Sequence, residues 1–371
     1  MPDSNLTELT IQNGTCHVLF VYDVALSINL DQVEQRATQT KQRQSIKHGK
    51  RSPKQFEFTP QPLRLTEQSD VMPVGAHQTI PAIDMVLYDF GAVSVLYSVD
   101  ISGPFSGLAD LSQSVYDNER LLADSRKRVE QLLRDIQEAV QRPGISEMVE
   151  DYVIFHIESL QKPAAIQSLV NGHNQEMAQI LRAETQPLSL DEVQDAMSGR
   201  ISYGVDDLTL VDWNAALVID AEGDDVCSVL EFANVELLEM RYLDQSLDNA
   251  LGRSYELLTR SRWKPRLTSG LADMKQIGQL QVDSALLFEG VNNSLKLLGD
   301  QYLARVYRLV SQRFHLTEWD GTIIRKLETL ESIYEKISDR VSNWRLEVLE
   351  WIIILLIAIS IVLPFISESA H

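Results

Sequence analysis

The chain has 371 residues, 44% of them hydrophobic, which is room for two or three domains with a buried core. Its 33 Lys and Arg stand against 53 Asp and Glu, a formal net charge of −20, which excludes unspecific adhesion to a phosphate backbone or an anionic lipid surface. Cys16 and Cys227 lie far apart in apolar stretches, as reduced core thiols of a cytosolic compartment do, and the N-terminus MPDSNLTELTIQNG has neither a signal core nor an Arg-rich presequence.

In chain order, residues 15–24 (TCHVLFVYDV) are dense in β-branched and aromatic residues and predict a strand. A helical segment over Leu30–Ala37 follows. Gln39–Pro53 is basic and polar, and the absence of an interleaved aromatic residue favours a solvated loop over a nucleic-acid patch. Phe56–Leu65 alternates weakly and reads as an edge strand, since Pro60 and Pro62 bar it from a sheet centre. Asp84–Phe90 and Ala92–Val99 flank Gly91 and predict a hairpin with a two-residue turn. The three-and-four spacing of apolar residues from Leu108 to Val140 predicts one long amphipathic helix, ended by Pro143-Gly144. Asp151–Glu158 then reads as a strand. Strand, helix, hairpin, helix, strand is the order of a ferredoxin-like split βαβ unit, so residues 1–160 are expected to form an α+β domain.

Residues 161–225 are expected to form a small mixed segment. Two short helices fall in 163–199, the second opened by the capping box Ser189–Glu192. Ile201–Tyr203 and Leu208–Ile219 read as strands, and the acidic Asp220–Asp225 reads as a solvated turn, because it lacks the ligand spacing of a calcium loop. From Val226 the pattern is helical: Leu230–Leu258, then a basic spot at Arg260–Arg266, a second helix over Gly270–Arg313, and a third from about Trp319. In the third, Ile323, Leu327, Leu330, Tyr334, Ile337, Val341, Trp344, Val348 and Trp351 follow an alternating four-three spacing, a heptad seam. Its partner is either the 270–313 helix folded back as an antiparallel hairpin or the same seam of another copy in a homo-oligomer. Residues 226–345 are thus a helical hairpin or coiled-coil stalk.

The stalk runs into LEVLEWIIILLIAISIVLPFI, Leu346–Ile366. From Trp351 through Ile352, Ile353, Ile354, Leu355, Leu356 and Ile357 to Ile366 no charge interrupts it. Starting at Leu346 such a helix spans roughly 31 Å, about one hydrocarbon core, and predicts a transmembrane tail anchor. Lys336, Arg340 and Arg345 before it place the N-terminal bulk in the cytoplasm, single-pass in the inner membrane, with the lipid bilayer as one partner.

No phosphate-binding glycine loop, HExxH, CxxC or GxSxG is present, so no catalytic residue, cofactor or metal ligand is assigned. His156 and Glu158 share a strand face, and with Asp212 they are the nearest approach to a catalytic set; a polar pair on an exposed face is the plainer reading. His173 sits in a Gly/Asn-rich turn. Arg241 and Asp244, three apart on a helix with Glu239 beside them, read as a structural charge pair that fixes helix register.

The tail Leu349-Glu350-Trp351 followed by Ile352–Ile354 resembles that of the YagE family, whose mitochondrial relatives include the "required for meiotic nuclear division" protein. Leu237-Leu238-Glu239-Met240-Arg241 is similar to the helix opening that family's helical half, and Asp89–Ser98 to the hairpin of its N-terminal half, although a proline-tryptophan stretch is replaced here by Asp220–Asp225. The resemblance implies a membrane-anchored, non-enzymatic protein that tethers ribosomes, with Lys41–Lys54 and Arg260–Arg266 as the local basic patches for such a contact. The expected function is therefore a tail-anchored scaffold acting through protein partners and self-association. The alternatives are an enzyme with its site in the α+β half, or an accessory subunit of a membrane transporter or channel.

Overall fold

The structure, a computed structural model, describes residues 9–36, 40–43, 56–58, 60–161, 166–260, 278–279, 282, 284–286, 288–291, 295–297 and 302–368, with side chains for most of them. Nine strands make one sheet: β1 (Thr10–Asp23), β2 (Thr40–Arg43), β3 (Leu63–Gln68), β4 (Ala82–Leu87), β5 (Ala92–Pro104), β6 (Val149–Leu160), β7 (Arg200–Ile201), β8 (Leu208–Val211) and β9 (Ala215–Ile219). Their spatial order is β7-β8-β9-β6-β1-β5-β4-β3-β2. Every neighbouring pair is antiparallel except β6 and β9, which are parallel, so the sheet is mixed. The helices are α1 (Leu30–Arg36), α2 (Leu108–Val115), α3 (Glu119–Asp135), α4 (Ile166–Arg182), α5 (Leu190–Ala196), α6 (Asp224–Arg260), α7 (Tyr302–Arg313) and α8 (Leu316–Glu368). The fold is α+β, with a large mixed sheet and helices dominating the C-terminal half.

The chain divides into two compact units, Met1–Leu243 with Leu287–Asp320, and Asp244–Leu286 with Gly321–His371. The boundaries expected near 160 and 225 therefore fall inside the first unit, because β9 adds in parallel to β6 and joins 200–219 to the same sheet.

In the first unit, β1 is the spine, paired on both sides by β5 and β6. Strands alternate their side chains between faces. Cys16, Val18, Phe20 and Tyr22 point to a core completed by Val95, Tyr97, Val153 and Phe155 from the neighbouring strands and by Leu111, Leu121, Val129 and Met177 from α2, α3 and α4. Each such side chain contributes about 1.5–3 kcal/mol by leaving water. Leu19 and Val21, on the opposite face, are just as buried. Both faces are covered, which is why Val18–Tyr22 reads as a continuous apolar run. The second cover is α6, which meets the sheet through an ion pair from Arg64 to Glu231 and a ring contact of 6.1 Å between Tyr88 and Phe232.

Several expectations change. The helix expected over Leu108–Val140 is two helices: Asp117 takes φ 48°, and the Asn118 side chain accepts the Leu121 N–H at 3.1 Å, an N-cap that starts α3 afresh. Phe56–Leu65 is split between the short strand Phe56–Phe58 and β3, and β3 lies inside the sheet because β2 pairs outside it. The Gly91 hairpin has a four-residue loop, Tyr88–Gly91, closed by Tyr88 N–H to Ala92 O at 3.0 Å. Leu295–Leu297 is a strand paired with Phe56–Phe58, so no single helix runs from 270 to 313; most of 261–301 lies outside the described residues.

In the second unit the heptad seam of α8 packs on the later half of α6. Lys326 binds Asp244 at 2.7 Å and Asp248 at 2.6 Å, and Leu247 and Ala250 are buried with Ile323, Leu330 and Ile333. Tyr334 lies against Gly278, where an added Cβ would sit 3.3 Å from its ring. Leu327, Tyr334 and Ile337 are half-buried, and the side chains of Val341 and Trp344 lie outside the described ones. The expected Arg241–Asp244 pair does not form: Arg241 ion-pairs with Glu150 of β6, while Asp244 is taken by Lys326.

The tail anchor is also corrected. Among the described residues no helix is long and apolar enough to cross a membrane. Where side chains are described, the uncharged run is Trp351–Ser360, about 15 Å of helix and half a hydrocarbon core. A stretch ending at Ser360 and long enough to span takes in Arg345, Glu347 and Glu350. The single-pass inner-membrane location falls with the anchor.

Candidate functional site

The sheet register gathers polar side chains on the face under α6. His17 of β1 stands beside Ser98 of β5 and Ile154 of β6; Asp84 of β4 stands beside Leu96 of β5 and Thr66 of β3; Gln42 of β2 stands beside Arg64 of β3. Above them α6 contributes Asp224, Asp225, Cys227, Ser228 and Glu231. Together these residues, Thr66 excepted, line a cavity of about 290 Å³.

Arg64 is the hub. Its Nη1 donates to Asp84 Oδ2 at 2.8 Å and its Nη2 to Glu231 Oε2 at 3.1 Å, while Thr66 Oγ1 donates to Asp84 Oδ1 at 2.6 Å. Burial alone would lower the Arg64 pKa; Glu231 and Asp84 outweigh it and hold the guanidinium charged. His17 Nδ1 lies 3.0 Å from Ser98 Oγ. Burial, reinforced by nearby His156 and Arg64, pushes the His17 imidazole down to about 4, so it is neutral at pH 7. The Cys227 thiol is pushed far up, first by burial and then by Asp224, and stays protonated.

Chemically this is an acid-lined recess around Arg64, with a neutral imidazole and a protonated thiol at pH 7. A base with a pKa near 4 has little drive to take a proton from Ser98 at neutral pH, and a protonated thiol is a poor nucleophile. Among the described residues no group of three or more His, Cys, Asp or Glu is placed to hold a metal ion.

The residues that sequence patterns singled out go elsewhere and do not meet. His156 is buried, with Nε2 2.8 Å from Asp220 O, and Gly223 leaves it room, since a Cβ there would come within 2.6 Å of that nitrogen. Glu158, on the same strand, is exposed. His173 is buried and edge-on to Phe105 at 6.1 Å. Asp212 is 0% exposed, clamped by Arg182 and Arg313, with Arg313 and Arg182 also reaching Asp195 at 2.8 and 2.5 Å. That is a strut joining the β8–β9 turn to α4, α5 and the end of α7. The cavity residues were missed because polar positions alternating along a strand read as a solvent face. The signal present was that His17 and Ser98 interrupt otherwise apolar runs.

The second unit holds a different feature. On α8, Trp351 is 70% exposed, and Leu346, Leu349 and every residue from Ile352 to Ile357 are exposed too. Seven consecutive helical positions point all round the axis, so the apolar surface encircles the helix.

Comparison with known proteins gives the affiliation. No solved structure matches the chain. It is similar to "Uncharacterized protein MJ0711" of Methanocaldococcus jannaschii, 22% identical over 237 residues that cover 63% of this chain and 71% of that one. The YagE resemblance is therefore overturned; a short Leu-Glu-Trp-Ile run in an apolar tail arises readily without common descent. The model of the family described as "Uncharacterized protein MJ0711, N-terminal domain" matches residues 13–225, the body of the nine-stranded sheet, and the chain belongs to that family.

Proposed function

We propose that the protein is a non-enzymatic scaffold that works through protein partners and through association with copies of itself along the end of α8. The observation carrying this is the exposed apolar collar at Trp351–Ile357. Monomeric proteins rarely leave a contiguous apolar patch of that extent in water. A second copy is the fitting occupant, because the four-three spacing of the seam goes on through Val348, Trp351, Leu355 and Ala358 beyond the point where α6 and Gly278 cover it. A seam that continues past its intramolecular partner takes another helix of the same pattern.

The four central strands support a finer reading of the first unit as ferredoxin-like. Their order β6-β1-β5-β4 and antiparallel pairing are those of a split βαβ sheet, to which β2–β3 and β7–β9 add at the two edges.

The test is the solution mass of the full chain, by light scattering across a range of concentrations, against Ile353→Glu/Leu356→Glu. Wild type is expected at two or more copies and the double variant at one, with equal helicity. A wild-type monomer at tens of micromolar, or a variant that keeps the wild-type mass, would overturn the reading.

A further inference from the structure

Helix α6 carries a carboxyl where a helix facing a sheet ordinarily carries Leu. Glu239 is 0% exposed, between Leu238 and Met240, and neither of its carboxyl oxygens has a hydrogen-bond partner. The charged group acting on it is Asp23, the last residue of β1, itself 5% exposed. Asp23 takes a hydrogen bond from the Ala25 N–H and another from the Tyr242 side chain, one residue before the end of the first unit's share of α6. Two buried carboxyls, Asp23 on the sheet's spine and Glu239 on its covering helix, thus act on each other electrostatically.

Among the described residues, no cation is among the groups acting on Asp23 or Glu239. Glu150 and Asp151 of β6 are acidic, as are Asp117 before α3 and Asp89 in the β4–β5 loop, and Arg241 is engaged by Glu150. Ionising both carboxyls would bury two like charges that act on each other, which a low-dielectric interface does not sustain.

We propose that Asp23 and Glu239 form a pH-sensitive latch, seating α6 on the sheet while they are protonated and loosening it as they ionise. Burial pushes both carboxyls up, Asp23 to about 7. The seated helix therefore holds protons that the opened helix releases. Seating is strongest below the ordinary carboxyl range, near 4, and weakens as pH rises toward the raised values.

Glu236, on the same helix, is a separate case. It is pushed up to about 8 by burial, against a 2.6 Å hydrogen bond from the α7 residue Tyr307 and with Asp320 nearby. Hydrogen exchange of the α6 backbone between pH 5 and 7, corrected for intrinsic rates, is therefore measured in the full chain carrying Glu236→Gln, alone and with Glu239→Gln or Asp23→Asn. The parent is expected to lose protection in α6 by about tenfold per pH unit for each retained proton. Glu239→Gln removes one such factor of ten per unit, and Asp23→Asn flattens the slope likewise. The readout is the slope, so a variant that is merely less stable still reports. If both variants keep the parent's slope, or if the parent's protection does not change with pH, the latch is wrong.

Discussion

Arg313 reaches Asp212 with Nε 2.8 Å from Oδ1, and Arg182 holds the other oxygen of that carboxylate with Nε at 2.5 Å. Asp212 is fully buried, its backbone carbonyl accepts the Tyr152 hydroxyl at 2.9 Å, and its own side chain accepts the Trp213 N–H at 2.7 Å. Removing one partner of a buried pair leaves uncompensated charge, at about 3–5 kcal/mol. Asp212→Asn is expected to cost about 3 kcal/mol in urea unfolding. Asp195, whose side chain is 55% exposed, contacts the same two arginines, and Asp195→Asn is expected to cost less than about 1 kcal/mol. The reverse ranking would show that Asp212 is not the keystone of the strut.

The His17 imidazole is pushed down to about 4 from its ordinary value near 6.5. Below pH 6.5 the unfolded chain takes up a proton that the folded chain refuses. The stability His17 contributes is full above that pH and is lost as pH falls toward 4, by at most about 3 kcal/mol. The carboxyl latch runs the opposite way over part of this range, so His17's share is the difference between wild type and His17→Gln in unfolding free energy from pH 4 to 7. An imidazole midpoint above pH 6 by NMR would sink the argument.

Leu330 is fully buried in the second unit, whereas Ile337, two seam positions on, is half-buried. Leu330→Ala is expected to cost about 2–5 kcal/mol and Ile337→Ala less than half as much, since the deleted methyls leave less packing behind. Thermal unfolding at several protein concentrations checks both. An equal cost at the two positions would mean that the seam's later half is packed as tightly as its start.

Gly91 has φ +108°, and a Cβ there would sit 1.8 Å from the Ala25 carbonyl oxygen. Gly91→Ala must both adopt a left-handed conformation and displace the chain after β1, so a loss of more than about 3 kcal/mol is expected. Gly107 is the control, with φ −69° at the start of α2 and open space around its Cβ position. Gly107→Ala is expected to be neutral or to stabilise by up to about 1 kcal/mol.

Local patterns carried a large share of this structure. The strand at 15–24, the capping box where Ser189 Oγ accepts the Glu192 N–H at 3.2 Å, the helix after Asp220–Asp225 and the α8 seam are all short-range consequences of propensity and period. The break at Asp117-Asn118 was legible as well, since Asn is a strong N-cap, but the apolar spacing ran across it and masked it. The cavity was not legible. His17, Arg64, Asp84 and Glu231 are up to 214 residues apart, and only the strand register and the α6 crossing bring them together.

The sequence by itself determined the α+β class, the acidic surface, the apolar spine of the sheet and the heptad spacing of α8, because composition and periodicity act over a few residues. Tertiary structure alone decided which charges meet. Arg241 goes to Glu150 and Asp244 to Lys326 rather than to each other, and Asp212 becomes a buried strut between two arginines. It also decided that Glu239 and Asp23 are both buried and act on each other. Ion pairing and desolvation depend on distance and burial, and neither is a property of neighbours along the chain.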